Sequence, residues 1–388
     1  MIAHFSHHLV AALLTPLLPY IRERFAIDYT RAGVLLMAFN LAYGLGQLPG
    51  GWLADRVGFA RMMTAGITGV ALCGVLAGLA PGFLVMAVAL ALMGLLGGGY
   101  HPSASPLIST RVETRYRGRA LGIHQIGGTA SFFLGPIAAG GIAAVLGWRG
   151  AFLAVSAPTM AFGILFYLLL RRWKTAKGEE AAPDPRDQAH WSGRLSALVP
   201  VMLLNVITQV LVFTSLSFVP LYAVDQLGAG KEAGAMMLSI AHSAGLWAGP
   251  LAGLLSDRMG KVPIIMAAAL LAGPMIFLLN LATLQWSIYP VLLMLGMCQY
   301  MGMPVTESYV ITHAPRERRS TILGVYYTVS RGGPGLAAPL MGHLIDRHRF
   351  STAYLTAATV MAAAAAVCWV YIGFARGGRN NKTAGRSS

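Results

Sequence analysis

Charge is what this chain has least of. Asp, Glu, Lys and Arg make up only 11% of its 388 residues, and 14 of these are acidic. A soluble domain carries about 25% charged residues, so a surface wetted on all sides is excluded, and the ordinary soluble enzyme with it. Cysteine is nearly as scarce. Cys73, Cys298 and Cys368 stand far apart in apolar stretches, and no C-x-x-C occurs. Neither a disulfide framework nor a cysteine zinc site is offered. No Walker loop is present, so no nucleotide drive and no cofactor are expected from this chain. The first apolar run lacks a basic segment before it and an A-x-A after it, so a retained helix is expected and not a cleaved leader.

Apolar residues dominate, at 56%. A membrane-crossing helix needs about 20 of them in a row. Twelve stretches qualify, at about 5–21, 33–54, 62–80, 83–109, 119–146, 150–170, 196–222, 233–254, 262–283, 287–312, 320–345 and 351–375. The expected fold is therefore an all-α membrane protein with twelve transmembrane helices. The one long polar stretch between them divides the chain into a six-helix half (1–170), a linker (171–194), a second half (195–375) and a basic tail (376–388). If the linker is cytoplasmic, 21 of the 29 Lys and Arg fall on its side, 7 fall opposite and Arg331 lies inside a helix. The net charge of +15 thus reads as short loop clusters facing the cytoplasm, with both termini there, and not as a nucleic-acid groove. The arginine-rich stretch "IRERFAIDYTR" fits this orientation least well. An integral plasma-membrane monomer is expected, whose partners are the bilayer, a small solute and protons.

The two halves repeat. "GWLADRVG" (51–58) matches "GLLSDRMG" (253–260), pairing Gly51, Asp55, Arg56 and Gly58 with Gly253, Asp257, Arg258 and Gly260. The same offset of 202 carries Tyr20 to Tyr222, Gly94 to Gly296 and Pro102 to Pro304. Parallel repeats around a midplane cavity are a transporter architecture, because rocking one half on the other alternates access. The loop acids can meet a helix N-terminus of the opposite half, where the dipole favours an anion. Arg56 is placed to reach Glu113, with Arg117 nearby, and Asp257, Arg258 and Glu317 to do the same in the second half. Such pairs are expected to latch the cytoplasmic end.

On these residues the chain resembles the major facilitator superfamily over its whole length. The family's helix 2–3 signature is G-x-L-x-D-R/K-x-G-R/K-R/K. The first copy departs from it at Phe59 and Ala60, and the second keeps Lys261. "GGTASFFLGPIAAGGI" is similar to the glycine-rich helix 5 of the family's exporters, with Gly135, Pro136, Gly140 and Gly141, although one residue too many separates the pairs. "GGGYHPSASP" (97–106) and the His-rich start are similar to the fosmidomycin-resistance-like branch of drug exporters. A basic residue common in the family's helix 4 is missing near Met93 and Gly94. The resemblance implies alternating access and proton-coupled transport.

Polar groups at membrane depth are costly and usually face a cavity or a partner. Glu307 is the one acid well inside a predicted span, with Gln299 on the same helical face. Arg331 is the one intramembrane base that is always charged, and Tyr327 lies one turn before it. A Glu307–Arg331 pair is the expectation. His101, His124 beside Gln125, and His242 are candidate proton carriers. Asn40 falls opposite His242, and Met303 opposite His101, under the repeat. Asn40, Tyr43 and Gln47 form one polar stripe, and Asn205, Thr208 and Gln209 another.

"HFSHHLV" opens the chain with His4, His7 and His8 on one helical face. A desaturase-like metal box needs further His clusters, and the remaining seven His are isolated in sequence, so no metal site is expected. The three are read as interfacial anchors at the cytoplasmic start of helix 1, with His7 or His8 at the cavity mouth. The expected function is proton-coupled efflux of a small organic solute. The alternative is uptake or exchange of an organic anion, and a membrane metalloenzyme or a non-transporting receptor stands further off.

Overall fold

The computed structural model describes residues 1–172, 195–283, 286–314 and 316–384, with side chains apart from 109–110, 114, 117–118, 172, 195–197, 316–321 and 372–384. The expected linker, Glu317 and the side chain of Arg117 lie outside that description, as do the last residues of the tail.

Among the described residues there are helices and no strands. Ten stretches are long and apolar enough to cross a membrane. One of them, Arg119–Arg171, is two helices joined at Gly147, whose φ of 69° breaks the rod. Arg316–His348 supplies the twelfth helix, and its polar residues keep its hydropathy low. In chain order we label them α1 (Ile2–Phe25), α2 (Tyr29–Val57), α3 (Phe59–Gly78), α4 (Phe83–Ile108), α5 (117–146), α6 (148–172), α7 (Leu198–Asp225), α8 (Lys231–Met259), α9 (Lys261–Leu278), α10 (Ile288–His313), α11 (Arg316–His348) and α12 (Phe350–Ala384). Most run longer than the apolar stretches alone suggest, because their polar ends continue the helix.

The repeat is visible in the backbone. Six described residues have positive φ, and they fall into three pairs: Ala26 with Gly228, Gly58 with Gly260, and Gly147 with Arg349. Each pair is separated by the offset of 202 seen in the sequence. Gly58 and Gly260 have nearly the same geometry, φ 94° and 90°, and each ends one helix and starts the next. A side chain is poorly tolerated at such φ, so glycine here fixes the turn in each half. Packing repeats too. A methyl on Gly94 would strike the carbonyl of Phe39, and one on Gly296 the carbonyl of Ala241, the equivalent pair.

The halves meet along two helix pairs. α2 runs against α11, where an added Cβ on Gly44 would stand 2.8 Å from the Gly332 Cα. α5 meets α8, with Gly140 against Ala235. Small residues let backbones approach this closely, and in lipid that packing supplies the association.

Candidate functional site

A cavity lies between the halves and spans about 940 Å³ of non-atom space, open solvent included. Much of its wall is apolar, with Phe39 from α2, Phe132 from α5, Phe213 from α7 and Leu238 from α8. Its polar atoms come from both halves. His8, Asn40 and Tyr43 stand on one side, and Gln209, His242, Gln299 and Arg331 on the other. Among the described residues, Arg331 is the only permanently charged one lining it, and no carboxylate does.

Local structure explains how these groups point inward. Gln209 and Gln299 hold each other: Gln299 Nε2 donates to Gln209 Oε1 at 2.6 Å, and Gln209 Nε2 donates to the Gln299 carbonyl at 2.7 Å. This reciprocal pair ties α7 to α10. Asn40 Nδ2 donates to the Leu36 carbonyl one turn back at 2.9 Å, which fixes its amide on the wall. His242 Nδ1 is 2.9 Å from the Tyr300 hydroxyl. Asn40 and His242, equivalent under the repeat, both line the cavity.

Several expected placements are corrected. Glu307 and Arg331 do not pair. Glu307 is hydrogen-bonded to Tyr327, neither residue lines the cavity, and the Arg331 Nη2 instead donates to the Met303 Sδ at 3.4 Å. Among the described residues no carboxylate forms a salt bridge with Arg331. The difference is depth and not helical phase: Glu307 follows Met303, and Tyr327 precedes Arg331, by four residues, so both share the lining faces and lie one turn beyond the cavity. Gln125 is exposed, because its neighbour His124 takes the inward face of α5. Of the second polar stripe only Gln209 lines the cavity. Asn205 Oδ1 accepts from the Tyr326 hydroxyl at 2.6 Å inside the second half.

Among the described residues, the expected Arg56–Glu113 pair of the loop-end latch is not formed in this conformation. Arg56 lies 3.7 Å over the Trp52 ring, and Glu113 accepts from Arg115 at 2.9 Å, two exposed neighbours satisfying each other. Asp55, Asp257 and Arg258 are exposed. Gly51 leaves room for Pro102, since an added Cβ would stand 3.5 Å from the Pro102 Cβ, and Gly253 and Gly260 have open space or ordinary contacts. On α5, Gly135 packs on Ala12 and Gly140 on Ala235, Pro136 lines the cavity, and a Cβ added at Gly141 would meet nothing within 4 Å.

The closed end is the other one. The hydrogen bonds described between the halves gather where α1 meets α2, α7 meets α8 and α11 ends. Arg22 Nη1 donates to Asp225 Oδ2 at 2.9 Å, and the Tyr29 hydroxyl donates to the same oxygen at 2.8 Å. Lys231 pairs with Glu23, and the Tyr20 hydroxyl donates to Glu232 at 2.6 Å. Asp346 of α11 accepts from the backbone N–H groups of Tyr29 and Thr30 at 3.0 and 2.8 Å, and from the Thr30 hydroxyl at 2.6 Å. A carboxylate of one half thus caps a helix N-terminus of the other, where the dipole favours it. This is the interaction expected of Asp55, made at the opposite end by another residue. The arginine-rich first loop, awkward for charge bias, supplies Arg22 to this gate.

The histidines at the chain's start are not interfacial. His4, His7 and His8 are 3%, 0% and 5% exposed, enclosed by α1, α4 and α5 of the first half. His8 reaches the cavity, and its Nε2 is 3.1 Å from His101 Nε2. His124 stacks on His4 at 4.2 Å. Sequence spacing could not bring His101 to this group, because it comes from another helix, α4.

A family model described as Major Facilitator Superfamily matches residues 1–337 and, in a second match, 244–387. The chain is 24% identical over 359 residues to the multidrug resistance protein MdtG of Escherichia fergusonii, covering 90% of this chain and 88% of that one. It is 25% identical over 315 residues to MdtG of Enterobacter lignolyticus, covering 80% and 75%. Among solved structures it resembles a POT family transporter in complex with 5-aminolevulinic acid (TM-score 0.80, 15% identity, 95% and 94% covered). It also resembles a bacterial homologue of the human lysosomal transporter Spinster (TM-score 0.76, 16% identity, 96% and 94% covered). Repeat, central cavity and family match agree: the chain is an integral multi-pass membrane protein that belongs to the Major Facilitator Superfamily.

Proposed function

We propose that this transporter exports an amphipathic organic solute in exchange for protons, with its termini and the signature loops in the cytoplasm. The observation that carries the substrate reading is the cavity wall, where aromatic and aliphatic side chains surround a few amides and one guanidinium. Such a wall accepts an apolar body of variable shape and fixes a polar or acidic group. The MdtG relatives, named multidrug resistance proteins, support the outward direction. In this orientation the gate at Asp225, Lys231 and Asp346 closes the outer end. His242 lines the cavity, and its residue type changes charge between about pH 5 and 8, so it serves as proton acceptor when solute leaves.

Arg331, which meets no carboxylate among the described residues, also favours a second reading, uptake or exchange of an organic anion. Proteoliposomes with an imposed pH gradient separate the two. A thermal-shift screen first finds a stabilising solute. Export predicts that an opposing proton gradient drives that solute out of the compartment holding the signature loops. Movement of a carboxylate or phosphonate toward that compartment, with or without a gradient, supports the second reading and overturns the first.

A further inference from the structure

His4, His8 and His101 offer three ring nitrogens within 4.8 Å of one another. We propose that they form a binding site for a zinc-class divalent metal ion, open on one side to the central cavity. This inference does not depend on which solute is transported.

The geometry separates these three rings from the other histidines packed beside them. Their centroids form a nearly regular triangle, 4.9 Å from His4 to His8 and 5.1 Å from each of these to His101. Around a tetrahedral ion with N–Zn distances of about 2.0–2.1 Å, ring centroids stand about 5.2 Å apart and nitrogens about 3.3 Å apart. The three planes are splayed, at 51°, 86° and 38°, as convergent ligands must be. His124 stacks on His4 at 12° and His7 on Tyr100 at 10°; His7 is also inclined to His8, at 74°, but its ring nitrogens fall outside the group of three.

His4 carries the strongest chemical indication. Its Nδ1 donates to the His124 carbonyl at 2.9 Å, which places the proton on Nδ1 and leaves a lone pair on Nε2. That Nε2 is buried and has no hydrogen-bond partner, in a residue 3% exposed. Metal-bound histidines are commonly oriented by such a bond to a backbone carbonyl. The same ring rests on Gly128, one turn along α5 from His124, where a methyl would come within 2.6 Å of Cε1. His8 and His101 then face each other through their Nε2 atoms at 3.1 Å, close to the nitrogen separation around one ion. Imidazole ligands without a carboxylate suit zinc, nickel or copper(II) over magnesium or calcium. His8 lines the cavity, so a fourth position there is available to water or to a ligand group on a solute.

The test uses tag-free, chelator-stripped protein titrated with cobalt(II), whose visible absorption reports tetrahedral coordination. Wild type is expected to bind one equivalent with that band, and zinc to displace it. H8Q and H101Q are expected to weaken binding at least about tenfold, as is G128A, which displaces the His4 ring. H348Q, at an exposed position on α11, is expected to bind as wild type. H101C keeps a ligand at the same place and is expected to add a thiolate-to-cobalt charge-transfer band, a readout that loss of folding cannot produce. Absence of one-equivalent binding, unchanged affinity in H8Q and H101Q, or an H101C spectrum without the new band would overturn the site.

Discussion

Arg331 concentrates the cavity's chemistry in one side chain. Its guanidinium is held only by a thioether among described partners, so most of its hydrogen-bonding capacity faces the space between the halves. A hydrogen bond to a charged group contributes about 1.5–3 kcal/mol. Arg331→Gln is therefore expected to weaken binding of an acidic solute roughly 10–150-fold while leaving a neutral analogue of the same shape nearly unaffected. Equilibrium binding of the two compounds to both proteins checks this, and equal losses for both would show that Arg331 shapes the wall and does not read charge. Glu307 stands in contrast. It is the natural intramembrane partner by sequence, yet Tyr327 takes it, away from the cavity. Spacing along a helix gives the face but not the depth at which the cavity ends, and the packing of α10 on α11 sets that depth.

Within and between helices, glycine sets the distances. Gly94 and Gly296 press on backbone carbonyls of Phe39 and Ala241, which cannot move aside as a flexible side chain can. Overpacking of this kind costs about 1–3 kcal/mol. Gly94→Ala and Gly296→Ala are each expected to lower the thermal unfolding midpoint in detergent, whereas Gly141→Ala, with nothing within 4 Å, is expected to leave it unchanged. Equal midpoints for all three would contradict the packing. The glycine-rich run of α5 thus divides by function: Gly135 and Gly140 allow close approach, Pro136 lines the cavity, and Gly141 makes no described contact. α11 shows the converse. It is too polar to qualify as a span by composition, because it carries both a cavity wall and Asp346 of the gate.

For the molecule as a whole, the closed end is a small sum of partly exposed polar contacts. The Arg22–Asp225 pair is 30% and 24% exposed, and such pairs contribute about 0.2–1 kcal/mol each. The Asp346 cap adds about 1–2 kcal/mol by the usual value of an N-cap. A few kcal/mol in total is small enough for this end to open in the transport cycle proposed above. Asp346→Ala is expected to shift the equilibrium about 5–30-fold toward opening at this end. A cysteine introduced at Ser217, on the cavity wall, in a background without the native cysteines reports this. Its labelling by an impermeant maleimide from the gated side is expected to accelerate accordingly, and an unchanged rate would remove Asp346 from the gate.

Membrane class, helical architecture and internal repeat are readable along the chain alone. Low charge and apolar run length are one-dimensional quantities, and a constant offset of 202 is read along the chain. The three paired positive-φ positions show the same offset in space. Asn40 and His242 were legible as wall residues because repeat symmetry applies to position as well as to identity. Which polar groups meet is set by the packing of the helices. It joined His8 to His101, separated Glu307 from Arg331, and placed the described polar contacts between the halves among Arg22, Asp225, Lys231 and Asp346. The physical reason is that these contacts join residues tens to hundreds of positions apart. Their partners are chosen by the rotation and axial shift of packed helices, which no spacing within a single helix encodes.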